Sequence, residues 1–231
     1  MTADGVRIEL ALHASAGDAT QLQRYFKTAA GQYGEGDVFI GVRVPVIRSV
    51  LRAHPSISPE DVDELFASDI HEHRMAAALS LVKQYPTDKE RVFLQYLAAL
   101  RRGRINNWDL VDCSAEFILG EWYFDRDRRP LVALASSGSI WERRVSIIAT
   151  FGFIKRGDSS TTLEIASILL TDPHDLIRKA VGWMLREVGK RVSRDDLEAF
   201  LENNAARMPR TMLSYACEQL TPEHRTYYRA L

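Results

Sequence analysis

Apolar residues recur at helical spacing along almost the whole chain. No stretch alternates apolar and polar residues with the β-branched side chains that a half-buried strand needs. The pattern predicts an all-α fold. Helices are expected over residues 19–33, 46–53, 59–67, 71–84, 89–101, 108–124, 128–136, 140–155, 161–170, 175–190, 194–203 and 210–220. Start signals stand at Ser58-Pro59-Glu60-Asp61, Asp88-Lys89-Glu90, Ser193-Arg194-Asp195-Asp196 and Thr221-Pro222-Glu223, where a polar cap or a proline suits the first helical turn. Pro55, Pro86, Gly103, Gly138, Gly157 and Pro173 mark turns between helices.

A weak repeat refines this. His73-Arg74-Met75-Ala76-Ala77-Ala78-Leu79, Glu142-Arg143-Arg144-Val145-Ser146-Ile147-Ile148 and Ile177-Arg178-Lys179-Ala180-Val181-Gly182-Trp183 each place a basic residue before a small, apolar helical run. Arg74 and Arg143 are 69 residues apart, Arg143 and Arg178 are 35 apart, and the unit missing midway falls near residue 109. A period of about 35 residues is that of a helical solenoid, whose stacked units share one core and line a concave face with equivalent helices. The expectation is one domain over residues 1–231, with its core at about 19–220.

At 46% hydrophobic and 26% charged residues, the chain can bury a full core. The mixed charges of residues 1–9 do not resemble a signal peptide, and the apolar, uncharged run of residues 145–154 is too short to span a bilayer. A cytoplasmic monomer without a membrane partner is expected. Cys113 and Cys217 lie far apart and lack a partner at metal-ligand spacing, so they read as buried free thiols. The His71-Glu72-His73 triplet reads as a solvated helix start, because adjacent helical residues face different directions. No metal and no cofactor is expected.

Net charge is −1, which by itself argues weakly against a nucleic-acid partner. The first hundred residues carry three more acids than bases, and residues 101–210 two more bases than acids. The bases come in groups: Arg101-Arg102-x-Arg104, Arg126-x-Arg128-Arg129, Arg143-Arg144, Lys155-Arg156, Arg178-Lys179 and Lys190-Arg191. Each group alone reads equally well as a solvated helix end. Several gathered on one concave surface would contact phosphates.

The stretch Asn106-Asn107-Trp108-Asp109-Leu110-Val111-Asp112 stands apart. With Asn106 or Asn107 as the cap, Trp108 and Asp112 lie four residues apart on one helix face. Asp109 fits as a first-turn acid favoured by the helix dipole, with no chemical role. Asp112 lies beyond the reach of that benefit and needs another reason. Side-by-side packing of the repeats would bring Trp108, Asp112, Arg143 or Arg144, and Trp183 together. Trp122 and Trp141 read as core residues, and Trp183 fits the core about as well as a site.

The segment Trp108-Asp109-Leu110-Val111-Asp112, followed by Phe117-Ile118-Leu119-Gly120, Trp141-Glu142-Arg143-Arg144 and Lys179-Ala180-Val181-Gly182-Trp183-Met184-Leu185-Arg186-Glu187, resembles the AlkD-like DNA alkylation-repair glycosylases. Arg24-Tyr25-Phe26-Lys27 and Phe39-Ile40-Gly41-Val42-Arg43-Val44-Pro45 are similar to the same family, and the likeness covers about residues 20–220. The resemblance implies a solenoid of HEAT-like repeats that cradles duplex DNA and excises cationic alkylated purines such as 3-methyladenine and 7-methylguanine. It implies Asp112 as the catalytic aspartate, Trp108 and Trp183 as aromatic residues flanking the lesion-bearing sugar, and Arg144 as the DNA-binding arginine, or Arg143 with a one-residue helix shift. Tyr25 matches a tyrosine near the site, and Lys155, Arg178 and Lys190 fall in basic groups suited to phosphates. The enzyme would be cytoplasmic and nucleoid-associated when bound to DNA. The extra residues between Lys27 and Phe39 and the modest charge depart from the family pattern. Without the resemblance, the leading alternative is a non-catalytic helical-repeat scaffold that binds DNA or a protein.

Overall fold

The computed structural model describes residues 2–54 and 57–231; Pro55, where a turn is expected, lies outside them. The chain is all-helical, and the one β-bridge among the described residues, between Val38 and Ile70, is isolated. Contacts group the chain into two compact units, residues 1–114 and 115–231.

The first unit contains α1 (Ala3–Leu12), α2 (Ala16–Tyr25), α3 (Val44–Ala53), α4 (Pro59–Ala67), α5 (His71–Gln84), α6 (Lys89–Arg101) and α7 (Trp108–Asp112). Helix α5 is its hub and packs against α1, α3, α4, α6 and α7. Its sequence allows this, because the run Met75 to Leu79 presents small or flexible apolar side chains on every face and all five are buried. The start signals act as expected: Ser58 Oγ accepts from Asp61 N at 3.1 Å and Asp88 Oδ1 from Arg91 N at 3.4 Å. Helix α1 was not foreseen. Thr2 caps it, and its Val6 and Leu10 are buried.

The second unit begins with a π-helical turn over Glu116–Gly120 and continues through α8 (Glu121–Tyr123), α9 (Arg129–Leu134), α10 (Ile140–Ala149), α11 (Phe151–Ile154), α12 (Ser160–Ile168), α13 (Asp175–Arg191), α14 (Arg194–Asn204), a 3-10 turn (Ala205–Arg207), α15 (Arg210–Ala216) and α16 (Pro222–Ala230). Its hub is α13, which packs against α10, α11, α12, α14 and α15. Gly182 makes the α15 contact close, since a Cβ there would meet Met212 O and Tyr215 Cβ at 2.5 and 2.6 Å. The repeat foretold these neighbours: α5 packs on α7, and α10 on α13.

Several predicted helices are shorter or broken, and three of them show the physical cause. Residues 19–33 give only α2, because Lys27 and Gly31 take positive φ (57° and 77°), which no right-handed helix can carry. Residues 108–124 break after α7, where Ser114 Oγ turns back to donate to Leu110 O at 2.5 Å and Tyr96 shares the hydroxyl at 3.0 Å. Residues 140–155 divide at Thr150, whose buried hydroxyl donates to Ile147 O at 2.7 Å.

Two readings of individual residues are corrected. His71, Glu72 and His73 are buried rather than solvated, because the loop of residues 37–42 lies over the start of α5. Trp122 is half-buried under the Arg126 guanidinium, 4.0 Å from its ring, rather than in the core. Trp141 is buried as expected, Cys217 is a buried free thiol, and Cys113 is a free thiol only partly covered.

Candidate active site

Helix α7 has five residues, too few to hold its own shape in water. Its orientation is imposed from outside. Leu110 and Val111 are fully buried. Asn107 caps it, with Oδ1 accepting from Trp108 N at 2.9 Å. Between the caps named from the sequence, the structure thus selects Asn107. Trp108 and Asp112, four residues apart, are both half-buried, so the carboxylate is neither sealed in the core nor fully solvated.

Aromatic side chains surround Trp108. The Phe26 ring stacks on it at 5.2 Å with planes 22° apart, and Tyr25 meets it edge-on at 5.9 Å. Phe26 stacks on Phe39 at 5.1 Å, and Phe39 on the His71 imidazole at 4.5 Å. Tyr25 is 64% exposed. A cavity of about 550 Å³ opens beside this column, lined by Tyr25, Phe26, Phe39, Met75, His71 and Asp109 among others.

Below the column lies a charged network whose importance the sequence does not disclose. Asp37 accepts from Arg74 Nη2 at 2.6 Å, Asn106 Nδ2 at 2.8 Å, and His71 Nδ1 and Asn107 Nδ2 at 3.3 Å each. Burial works against its ionisation, but the His71 bond, the Arg74 charge and the Asn106 amide prevail and hold the carboxyl below its usual range. His71 Nε2 donates to Asp109 Oδ2 at 2.9 Å. Burial alone would lower the His71 pKa, yet the Asp109 charge and the bonds to Asp109 and Asp37 raise it to about 9, so the ring is an imidazolium at neutral pH. Glu72 serves the neighbouring loop, accepting from the backbone N–H groups of Ile40, Gly41 and Val42 at 3.1, 2.8 and 3.1 Å. Gly41, with φ 83°, would drive a Cβ into Ser15 O. The spacing of an Asp, a His and two Asn 34 to 70 residues apart gave no signal of this convergence.

In the second unit, Trp183 is half-buried and lies 5.9 Å from Phe151. Lys155 pairs with Glu116 and sits 4.5 Å above the Phe151 ring. Arg144 is 5% exposed and donates through Nη1 to Leu176 O at 2.6 Å. Arg143 is committed to the fold: it bonds Asp172 Oδ2 at 2.7 Å and the carbonyls of Ser137 and Gly138 at 2.9 and 3.2 Å. Arg178 donates to Asp172 O at 2.8 Å, and Lys190 is exposed. Many of the grouped bases are paired internally, Arg102 with Asp63, Arg128 with Asp158, Arg156 with Glu121 and Arg191 with Glu187. Among the described residues, no group of three or more His, Cys, Asp or Glu could hold a metal ion, and no helix is long and apolar enough to cross a membrane.

The family model for DNA alkylation repair enzymes matches residues 6–220. The chain belongs to that family. A solved structure from Enterococcus faecalis described as a "Predicted DNA alkylation repair enzyme" is similar at a TM-score of 0.71 and 16% identity, covering 90% of this chain and 97% of that one, which shows a shared fold. Among curated proteins nothing matches. Family membership places the chain in the repair of alkylated DNA, as an enzyme with DNA for its partner.

Proposed function

We propose that the chain is an N-glycosylase that hydrolyses the bond between deoxyribose and a cationic alkylated purine, such as 3-methyladenine or 7-methylguanine, in duplex DNA. The observation that carries this reading is a half-buried carboxylate, Asp112, one helical turn from a half-buried indole, Trp108, on a helix fixed by its surroundings.

Breaking an N-glycosidic bond builds positive charge on the sugar as the base departs. A purine methylated at N3 or N7 already carries a positive charge and leaves neutral, so no general acid is required. Asp112 stabilises the sugar cation and orients or deprotonates the attacking water. At about 4 Å and an effective dielectric near 20, the attraction is about 4 kcal/mol, or roughly three orders of magnitude in rate. Trp108 offers its π face to the same charge and excludes water, supported by Tyr25 and Phe26. Trp183 is assigned the same kind of contact with the DNA sugar. Arg144, Lys155, Arg178 and Lys190 are assigned to phosphates, which set register without reading sequence. Arg143, the alternative to Arg144, is bonded to Asp172 and two carbonyls, and Arg144 is itself 5% exposed and bonded to Leu176 O.

Incubating the protein with methylated duplex DNA and quantifying released base tests this reading. Free 7-methylguanine or 3-methyladenine above the spontaneous background supports it. Binding to the DNA without release would instead favour a non-catalytic scaffold.

A further inference from the structure

We infer that His71 is a positioning residue for α7: it clamps the helix that carries Trp108 and Asp112, and the clamp opens when the imidazole loses its proton. This rests on the glycosylase reading for its consequence in catalysis, though the geometry stands without it.

His71 holds α7 by two routes. Through its nitrogens it bridges two carboxylates, with Nδ1 3.3 Å from Asp37 Oδ2 and Nε2 2.9 Å from Asp109 Oδ2. Asp109 is the second residue of α7, and Asp37 also accepts from Asn107, the residue that caps it. Through its ring face His71 ends the stack that runs by Phe39 and Phe26 to Trp108. Only the doubly protonated ring can donate to both carboxylates, because a neutral imidazole has one N–H and one lone pair. His71 itself is 3% exposed, so its ring gains little from water when a donor is lost.

The charged groups facing the ring are Asp37 from the loop before α3, Asp109 from α7 and Arg74 from its own helix. Two acids and two bases balance while His71 is charged. Deprotonation leaves a net negative cluster and turns a lone pair toward one carboxylate, which frees either the cap or the first turn of α7. Trp108 and Asp112 then lose their fixed pose without any change in their own chemistry.

The test follows Trp108 and His71 by NMR from about pH 6 to 10.5 in the intact protein, with the Trp108 indole N–H resonance assigned by Trp108→Phe, and measures single-turnover release of 7-methylguanine over the same range against a no-enzyme control. The Trp108 resonance is expected to titrate with the midpoint of the His71 ring, with the release rate falling at least tenfold across it and duplex affinity changing less than twofold. Asp109→Asn keeps an acceptor for Nε2 but removes the charge, so both midpoints should move toward neutral pH by at least one pH unit. His71→Gln should abolish the alkaline limb, and Asp109→Asn carries the test where that variant fails to fold. A Trp108 resonance that ignores His71, or a midpoint unmoved in Asp109→Asn, overturns the clamp. No base release at any pH, with the coupled titration intact, contradicts the glycosylase reading alone.

Discussion

Raising the pH should weaken the fold through His71, by an amount its surroundings set. Burial disfavours the charged ring, but Asp109 and Asp37 overcome it and hold the pKa near 9, against 6.5 in an unfolded chain. Because the folded value is the higher, the bound proton stabilises the native state. The contribution is complete below pH 6.5 and is lost as pH rises through about 9. A tenfold difference in proton affinity between the folded and unfolded chain corresponds to about 1.4 kcal/mol. The free energy of unfolding should therefore fall by about 1.4 kcal/mol per pH unit inside that window, and by about 3 kcal/mol across it. Urea unfolding at about pH 6.5, 7.5 and 8.5, followed by far-ultraviolet circular dichroism, reads this slope directly. His71→Gln serves as the control and should remove most of it. Equal stability at the three pH values in the wild type, or the same slope in the variant, would refute the buried double ion pair.

His73 should act on the acid side: burial, with the charges of Arg7 and Arg74, lowers its pKa to about 4. Its contribution is present above pH 6.5 and lost as pH falls through about 4, so stability should peak near pH 6.5, a maximum that thermal melts across about pH 4 to 9 can locate. Gly182→Ala pushes a methyl group against Met212 O and Tyr215 Cβ and should cost about 1–3 kcal/mol; an unchanged melting temperature would show that α13 and α15 are free to separate. Lys190→Ala, at an exposed position, should leave the melting temperature alone while weakening duplex binding and lowering its salt slope by about 1. Arg144→Ala should lower both affinity and melting temperature, because its guanidinium also holds Leu176 O. A drop in melting temperature with unaltered affinity would assign Arg144 to the fold only.

Much of the fold was legible because it rests on local signals. The bounds of α4, α5 and α6 follow from Ser58, Asp88 and the apolar run after His71. The breaks that were missed depend on contacts made at a distance, such as Tyr96 with Ser114, or on backbone conformations such as that of Lys27 that its residue type does not announce. At the site, the Trp108 and Asp112 pair and a cap at Asn106 or Asn107 could be read from spacing, since they lie within one turn or two of helix, and the structure selects Asn107. The Asp37 hub could not, because its four donors come from residues 71, 74, 106 and 107. Asp109 shows the same limit: the helix dipole was reason enough for an acid there, and it concealed the bond to His71. The pairing of the basic groups was likewise out of reach. Each group reads from the sequence as a solvated helix end or a phosphate contact, and many of the guanidinium groups are matched by acids far away in sequence.

The central assignment is that Asp112 stabilises a sugar cation, and replacing its charge while keeping its shape tests this most directly. Asp112→Asn should bind methylated duplex with wild-type affinity and release 7-methylguanine about a thousandfold more slowly, the factor set by about 4 kcal/mol of lost attraction. Release at the wild-type rate by a folded Asp112→Asn protein would contradict the account.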